Sequence, residues 1–279
     1  MERLPSTRSE VLFVDYLGGI GREWSFAPII GRHRPDFLVD RRVVCEVSAI
    51  EGNHLPERVG CRDMPHPVRQ KIRDKWSQAE AARMAGHPFV LVLHQEGWRA
   101  DLSLHVVTSA LFGDVSVAMV FDLASGTMTD EDGFVFGGRG MTEPTGNRNL
   151  SALAHLRSFN PTLVDLQAAW KEVGPLANAE EGIRLYVEIE ERLTRRGVFD
   201  PDASCLRLQL VHNRQAQHSL PTGWLGGDYD EEWGLEPSTG QLECLHAGSL
   251  HHRVPGGSAR RSRYGSPASE GDRGGSRET

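Results

Sequence analysis

Residues 32–51 read "RHRPDFLVDRRVVCEVSAIE", and this stretch decides the fold expected of the chain. Two short apolar runs, "DFLV" and "VVCEV", flank the polar residues "DRR", which is the pattern of two strands joined by a tight turn. If residues 40–42 form the turn, Asp36 lies opposite Glu46 on one face of the hairpin. Directly paired side chains have Cβ atoms about 5 Å apart. Two carboxylates that close repel each other unless one is protonated or a cation lies between them.

The spacing of these acids predicts a metal site. Mg²⁺ prefers hard oxygen ligands and is commonly held by one or two carboxylates together with water and substrate phosphate. We therefore expect Mg²⁺ or Mn²⁺ at Asp36 and Glu46, with the backbone carbonyl of Val47 as a further ligand. Ser48 falls on the same face because side chains alternate along a strand. The alternative is an exposed polar hairpin face without a ligand.

The run "RPDFLV" followed by "CEVS" resembles the core of the PD-(D/E)xK, or restriction-endonuclease-like, nuclease superfamily. In that superfamily an Asp and a Glu or Asp on a hairpin bind Mg²⁺, and a lysine two residues further on helps to activate water. Asp36 and Glu46 match this motif, whereas Ser48 stands in the position of the lysine. The resemblance implies an α/β sandwich with a mixed central β-sheet flanked by helices, and nuclease activity on DNA.

A glutamate on the preceding helix often completes the metal shell in that superfamily, and Glu10 takes this place, through water. Glu10 shares the apolar stripe of its helix with Phe13 and Leu17. In the alternative interpretation Ser9 caps the helix and Glu10 is a first-turn acid that the helix dipole favours. The sequence leaves both interpretations open.

Lysine is rare in this chain, which has only three lysines against 28 arginines, the 31 basic residues less the three. Lys75 falls within a predicted helix over residues 67–85, in the same stripe as the apolar Ile72 and Ala79. Lysine offers a compact ammonium that burial can tune, whereas arginine is a fixed, permanently charged fork. A lysine on a buried stripe is therefore a candidate for chemistry.

The resemblance also gives Lys75 a role, since the helix after the Glu strand carries Lys or Gln near the site in that superfamily, and some members move the lysine onto it. Lys75 and Gln78 fit this place. The alternative is that Lys75 packs its aliphatic stem at the helix edge and extends its ammonium into water.

The order of predicted elements favours an α/β fold. We expect a helix over residues 9–20, strands near 25–30, 36–40 and 43–48, the helix over 67–85 and a strand over 88–94. Further expected elements are a helix capped by Asp101, strands in "VSVAMVF", "GFVF", "LSALAHL" and "CLRLQLVHN", helices over 162–173 and 180–196, and a loop over 136–149.

The predicted domain covers residues 1–235 and includes C-terminal elaborations. Residues 236–279 are grouped as a disordered tail, because the chain from Gly257 onward is rich in Gly, Ser and Arg and lacks apolar periodicity.

Composition narrows the class of protein. No apolar run approaches the roughly 18 residues of a membrane span, and the N-terminus lacks the apolar core of a signal peptide, so we expect a cytoplasmic protein without a membrane partner. The four cysteines have no framework spacing, and disulfides are not expected. The oligomeric state, a homodimer included, is left open.

The net charge of −7 is not typical of a strong nucleic-acid binder, yet residues 1–86 carry 14 basic against 12 acidic side chains. We expect nucleic acid, more specifically DNA, to be bound through its phosphates. The arginines expected to contact phosphate are Arg32, Arg34, Arg41, Arg42, Arg69 and Arg73.

Other functional classes fit poorly. The intervals of 9, 7 and 5 between Cys45, His54, Cys61 and His66 match no standard zinc site. The sequence has no Gly-x-Ser-x-Gly turn for a serine hydrolase, and the glycines near residue 138 do not open a helix as a dinucleotide site requires. The remaining rival is a module that kept the nuclease fold, lost its chemistry with the change to Ser48, and binds nucleic acid or a protein.

Overall fold

A computed structural model of the protein describes residues 4–51, 65–96, 102–117, 120–122, 127–129, 134–139, 148–173, 178–236 and 240–248. The α-helices are α1 Arg8–Gly19, α2 His66–Asp74, α3 Trp76–Met84, α4 Leu104–Phe112, α5 Leu163–Lys171 and α6 Ala179–Arg195. The strands are β1 Trp24–Phe26, β2 Phe37–Val39, β3 Val43–Glu51, β4 Phe89–Glu96, β5 Gly113–Val117, β6 Val120–Asp122, β7 Thr127–Thr129, β8 Phe134–Arg139, β9 Ala152–Phe159, β10 Cys205–His212, β11 Glu231–Leu235 and β12 Leu242–Ala247.

Eight strands form one mixed sheet in the order β1-β2-β3-β4-β9-β10-β11-β12. The central strands β3, β4 and β9 are parallel, and β1 and β2 extend the sheet as an antiparallel meander. On the other side β10 runs antiparallel to β9, and β11 and β12 complete the sheet. Strands β5 with β8 and β6 with β7 form two small antiparallel ribbons. The predicted α/β class with a mixed sheet flanked by helices is confirmed.

Each face of the main sheet is covered by its own apolar core. Helix α1 packs on one face through Phe13, Tyr16 and Leu17, against side chains such as Val47 of β3. Residues of α2, α3 and α4 cover the opposite face, against side chains such as Leu91 of β4. Because strand side chains alternate, Glu46 of β3 and its opposite neighbour Asp36 face the α2–α4 side. The candidate site therefore lies on that side of the sheet.

Several predicted elements have different bounds in the structure. The helix predicted over 67–85 is two helices, α2 and α3, which meet at Lys75. The strand expected near residues 25–30 is the short β1, after which Ala27 adopts a positive φ of 49°. Strand β8 continues through Gly137 and Gly138, which the sequence assigned to a loop. The break at Lys75 occurs without Gly or Pro, so the local sequence carries no signal for it.

The main sheet also extends past residue 235, where the sequence analysis placed the end of the domain. Strand β12 lies in the region that we grouped with the tail, yet it pairs with β11 at the edge of the main sheet. Its residues are mostly half-buried and include Glu243 and His246, so the strand lacks the apolar run that marks a central strand.

Some predictions concern residues outside the described ranges. These are the cap at Asp101, the zinc candidates His54 and Cys61, and the chain from residue 249 onward. Within the described residues Ser103 is the N-cap of α4. No helix in the described part of the chain is long and apolar enough to span a membrane.

Candidate metal centre

The turn of residues 40–42 sets the register of β2 against β3. Val39 pairs with Val43 directly across this turn, as the sequence predicted. Continuing the same register sets Asp36 opposite Glu46, and both side chains are buried. The sequence thus predicted both the hairpin and the placement of its two acids.

Backbone hydrogen bonds hold the two carboxylates in the gap between the strands. The backbone N–H of Asp36 donates to Glu46 Oε2 at 3.1 Å, and the backbone N–H of Val47 donates to Asp36 Oδ2 at 2.9 Å. Each acid therefore accepts a hydrogen bond from the strand opposite its own. This exchange orients both carboxylates through the backbone, which is the kind of rigid support that a functional site needs.

Burial and the neighbouring Glu46 both raise the pKa of the Asp36 carboxyl group. Burial is the main cause, and the charge of Glu46 adds to it, so that the pKa of Asp36 rises from 3.8 to about 6. The hydrogen bond from Val47 and the charge of Lys75 oppose this rise without cancelling it. A divalent cation between the two carboxylates would lower the pKa of Asp36, because an opposite charge favours the ionised form.

Lys75 reaches this pair from the helical layer. It lies at the junction of α2 and α3, with φ −98° and ψ 9°, and its Nζ donates to Glu46 Oε1 at 2.5 Å. Its side chain is 24% exposed and that of Glu46 is 4% exposed, so the ion pair lies at the boundary between the core and solvent. The neighbouring stripe residues Ile72 and Ala79 are buried, as predicted. The ammonium is therefore directed at the acids and is not extended into water.

Ser48 and Gln78 lie close in sequence to this centre but make no contact with the acids that the structure records. Ser48 is buried on the same face as Glu46, two residues further along β3, or about 7 Å at the rise of a strand. Gln78 is half-buried on α3, and its Oε1 accepts a hydrogen bond from Ser77 Oγ. The sequence placed both residues near the site, and the structure brings only Lys75 into contact with it.

Glu10 serves mainly to cap its own helix. Its Oε2 accepts hydrogen bonds from the backbone N–H groups of Ser6 and Thr7, both at 2.8 Å, and its own N–H donates to Thr7 Oγ1. Thr7 is the N-cap and Glu10 completes a capping box. The alternative interpretation is therefore right that Glu10 is a first-turn acid and wrong that Ser9 is the cap. Ser9 is buried one residue inside the helix, and its Oγ lies 3.3 Å from His94 Nδ1. Glu10 remains near enough to Asp36 for its charge to raise the pKa of that carboxyl.

The donor set fits a small hard cation with few protein ligands. Two carboxylates converge, and Asp36 Oδ1 accepts no hydrogen bond among the described residues. Mg²⁺ is commonly held by one or two carboxylates and keeps several waters, so two protein carboxylates are sufficient. No group of three or more His, Cys, Asp or Glu side chains in the described ranges is arranged to hold a metal ion. The centre is thus a two-carboxylate site, with Glu10 engaged elsewhere.

The ammonium of Lys75 competes with a metal for Glu46, and this predicts the metal affinities of variants. We expect Lys75→Met to bind Mn²⁺ about tenfold more tightly than wild type, because a unit charge at about 4 Å is worth at least this much near a protein surface. Asp36→Ala should lose measurable binding. Isothermal titration calorimetry of the three proteins measures this. Equal, negligible binding by wild type and Asp36→Ala would contradict the assignment.

A buried polar cluster, missed in the sequence, lies on the same face of the sheet as the acids. Arg207 of β10 forms an ion pair with Glu231 of β11, with Nη1 3.0 Å from Oε1. Gln209 and Trp233 also donate to Glu231, at 2.7 and 3.0 Å. Nearby on β9, burial lowers the pKa of His155 to about 4, with further lowering by His94 and Arg207. The alternation "LRLQL" in β10 was the available signal, since it places two polar side chains on one face.

The predicted phosphate-contacting arginines divide into two groups. Arg69 is buried and its Nη2 donates to the backbone carbonyl of Ser109 at 3.0 Å, so its assignment to nucleic-acid contact is wrong. This bond holds α2 against α4 in the core. The remaining five are exposed: Arg32, Arg34, Arg41, Arg42 and Arg73.

Comparison of the chain with protein-family models, with curated proteins and with solved structures gave no match. The function has to be inferred from the geometry and chemistry of the residues themselves.

Proposed function

We propose that the protein is a metal-dependent nuclease that hydrolyses phosphodiester bonds of DNA, with the restriction-endonuclease-like arrangement that its hairpin resembles. One observation carries this proposal: the 2.5 Å contact between Lys75 Nζ and Glu46 Oε1, beside a second carboxylate that backbone hydrogen bonds hold in place. Two acids and one lysine are the side chains that the resembling motif uses. Here the lysine comes from the helix junction, whereas the motif takes it from the strand.

Each side chain has a defined task in this proposal. Asp36 and Glu46 would hold Mg²⁺ or Mn²⁺, which supplies Lewis-acid polarisation of the phosphoryl oxygen and lowers the pKa of water. Lys75 fixes the orientation of Glu46 and presents a positive charge where negative charge develops on the phosphate. Ser48 brings no charge to the site, so its hydroxyl cannot replace the ammonium of a lysine.

The second candidate is a binding module with the same fold and no catalysis. The observation that favours it is the engagement of Glu10 in the capping box, which leaves two carboxylates for the metal. The ion pair between Lys75 and Glu46 would then be a structural substitute for the cation. Such a protein would bind DNA or a protein partner with the same affinity whether or not a metal is present.

A cleavage assay separates the two candidates. Wild type with Mg²⁺ or Mn²⁺ should cut at least one of a set of duplex, branched and single-stranded DNA substrates, and chelation of the metal should stop the reaction. Glu46→Gln should reduce cleavage by a factor of about 100 or more, in the range found when a group central to catalysis is removed. The control is Asp15→Asn, which changes an exposed acid on α1 and should cut at the wild-type rate. Residual cleavage by Glu46→Gln at the wild-type rate would overturn the proposal.

A further inference from the structure

A second feature of the molecule lies at the end of the sheet where the β2–β3 turn meets the start of β4. A cavity of about 660 Å³ opens there, between this turn, the residues just before β4 and the segment from Gln217 to Trp224. Its volume is in the range of small-molecule and cofactor sites. None of the residues that line it belongs to the candidate metal centre.

The lining of this basic cavity carries a positive excess. Its fully charged side chains are Arg22, Arg41 and Arg42 against Asp40, which gives three positive charges less one negative, or two. Arg22 forms an ion pair with Asp40 at 3.0 Å, so that acid is already neutralised. The guanidinium groups of Arg41 and Arg42 form no ion pair among the described residues and are exposed. An anion would find two uncompensated charges at this surface.

The walls of the basic cavity are tied to one another, so the site is formed before any ligand arrives. His87 Nδ1 donates to the carbonyl of Arg42 at 2.9 Å, which joins the β4 side to the turn. His218 Nε2 donates to the carbonyl of Arg83 at 3.0 Å, which anchors the third wall to α3. Arg22 bridges the turn and the carbonyl of Trp224. A preformed site avoids the entropic cost of ordering loops on binding.

The backbone of the turn follows the hairpin. Asp40 and Arg41 both have positive φ, at 50° and 56°, and the backbone N–H of Arg42 donates to the carbonyl of Val39 at 3.0 Å. Positive φ at both central residues is what the favoured two-residue hairpin turn requires. Aspartate tolerates this left-handed region, but for arginine it is strained, and glycine would relieve the strain. The turn thus places Arg41 in the lining of the cavity at some cost in backbone strain.

We propose that the basic cavity binds a phosphate of the nucleic acid whose cleavage we propose at Asp36 and Glu46. A preformed cavity with two arginines that form no ion pair among the described residues suits a phosphate, because guanidinium groups make short, charge-assisted hydrogen bonds to phosphate oxygens. The cavity opens at the end of the sheet and Glu46 faces the α2–α4 side, so the two sites would contact different phosphates. The inference rests on the proposed function, and it assigns the phosphate contact to Arg41 and Arg42.

The test measures DNA binding by fluorescence anisotropy as a function of salt, with metal chelated so that no cleavage occurs. The double variant Arg41→Gln and Arg42→Gln should bind about tenfold more weakly at low salt. The slope of log affinity against log salt should decrease by about one phosphate contact. The matched control, Arg184→Gln with Arg195→Gln, removes two exposed arginines of α6 and should leave the slope unchanged. Equal slopes for wild type and the turn variant would overturn the inference.

A second variant tests the strain argument. Arg41→Gly should unfold at a higher temperature than wild type and yet bind DNA more weakly, a combination that a merely structural arginine would not give. Lower thermal stability of Arg41→Gly, or unchanged DNA affinity, would contradict the inference.

Three further outcomes distinguish the phosphate site from the nuclease proposal. Titration of wild type with inorganic phosphate and a mononucleotide shows whether a free ligand occupies the cavity. Tight mononucleotide binding that the turn variant loses, with DNA binding unchanged, would overturn the inference and leave the nuclease proposal intact. If wild type binds DNA with the expected dependence on Arg41 and Arg42 but never cuts, the nuclease proposal fails while the phosphate site stands. Absence of DNA binding by wild type would overturn both.

Discussion

Moving the lysine from the helix junction to the strand is expected to restore part of the cleavage that is lost when Lys75 is removed. Lys75→Met alone should reduce cleavage by a factor of about 100 or more, because it removes the positive charge beside Glu46. Adding Ser48→Lys to Lys75→Met should recover at least about tenfold, since position 48 shares the buried face of Glu46 and is the motif position for lysine. Single-turnover cleavage rates of the variants measure both effects.

Cleavage by the same variants also distinguishes the nuclease from the binding module without catalysis. If wild type is inert on every substrate and Ser48→Lys alone gains cleavage, the binding module with a lost lysine is the correct description. If wild type cuts, Glu46→Gln does not, and Lys75→Met is unaffected, the nuclease proposal survives but the assignment of Lys75 is wrong. Binding of Mn²⁺ by Lys75→Met shows that a loss of activity is not a loss of the metal.

The hairpin was predictable because its determinants are local. A three-residue polar turn between two β-branched runs fixes the register, and the period of two then places Asp36 and Glu46 on one face. Helix α1 was equally visible in its apolar stripe. These features depend on residues that are close together in sequence, so they can be predicted from a single sequence.

The break between α2 and α3 and the contact of Lys75 were less visible. The stripe that includes Ile72 and Ala79 continues through position 75, so periodicity alone predicts one continuous helix. What distinguishes Lys75 is an ion pair with a residue 29 positions earlier in the chain, and no local pattern encodes that distance. The rarity of lysine in an arginine-rich sequence and the place of Lys75 in the apolar stripe were the signals from the residues, and they identified the residue without its backbone conformation.

The capping of α1 shows a different limit of sequence reasoning. Thr7 and Glu10 have the spacing of a capping box, and this interpretation competes with the role of metal ligand that the sequence resemblance implied for Glu10. The hydrogen bonds of Glu10 Oε2 to the two preceding residues show that the local interaction is formed. A similar limit applies to β12, whose half-buried residues gain their role only from pairing with β11.

The free energy of unfolding should also show the cost of burying the Asp36 carboxylate beside that of Glu46. Asp36→Asn is expected to be more stable than wild type by about 3 kcal/mol at pH 8, because the pKa of Asp36 is raised from 3.8 to about 6 and each unit is worth about 1.4 kcal/mol. The asparagine Oδ1 can accept the same hydrogen bond from Val47. The variant thus removes a buried charge beside Glu46 and keeps the local geometry.

The sign of the pH dependence follows from the direction of this shift. The folded protein holds the Asp36 proton more tightly than the unfolded chain, with a pKa of about 6 against 3.8. The stability that this proton contributes is fully present below pH 3.8 and is lost as the pH rises through 6. The advantage of Asp36→Asn should therefore be large at pH 8 and small at pH 3.8, where the unfolded carboxyl is itself half protonated. Chemical denaturation at both pH values measures it, with Asp15→Asn as the control that should show no difference.

The same stability measurement can be repeated with Mg²⁺ present. Mg²⁺ at pH 8 should stabilise wild type and leave Asp36→Asn nearly unchanged, because a ligand that binds only the folded protein stabilises it by RT ln(1 + [L]/Kd) and the variant lacks one of the two carboxylates. A variant that is less stable than wild type at pH 8 without metal would mean that the charge of Asp36 is already compensated by Lys75. In that case the pair of acids would be a satisfied structural ion cluster, and the main physical reason for placing a cation there would be lost.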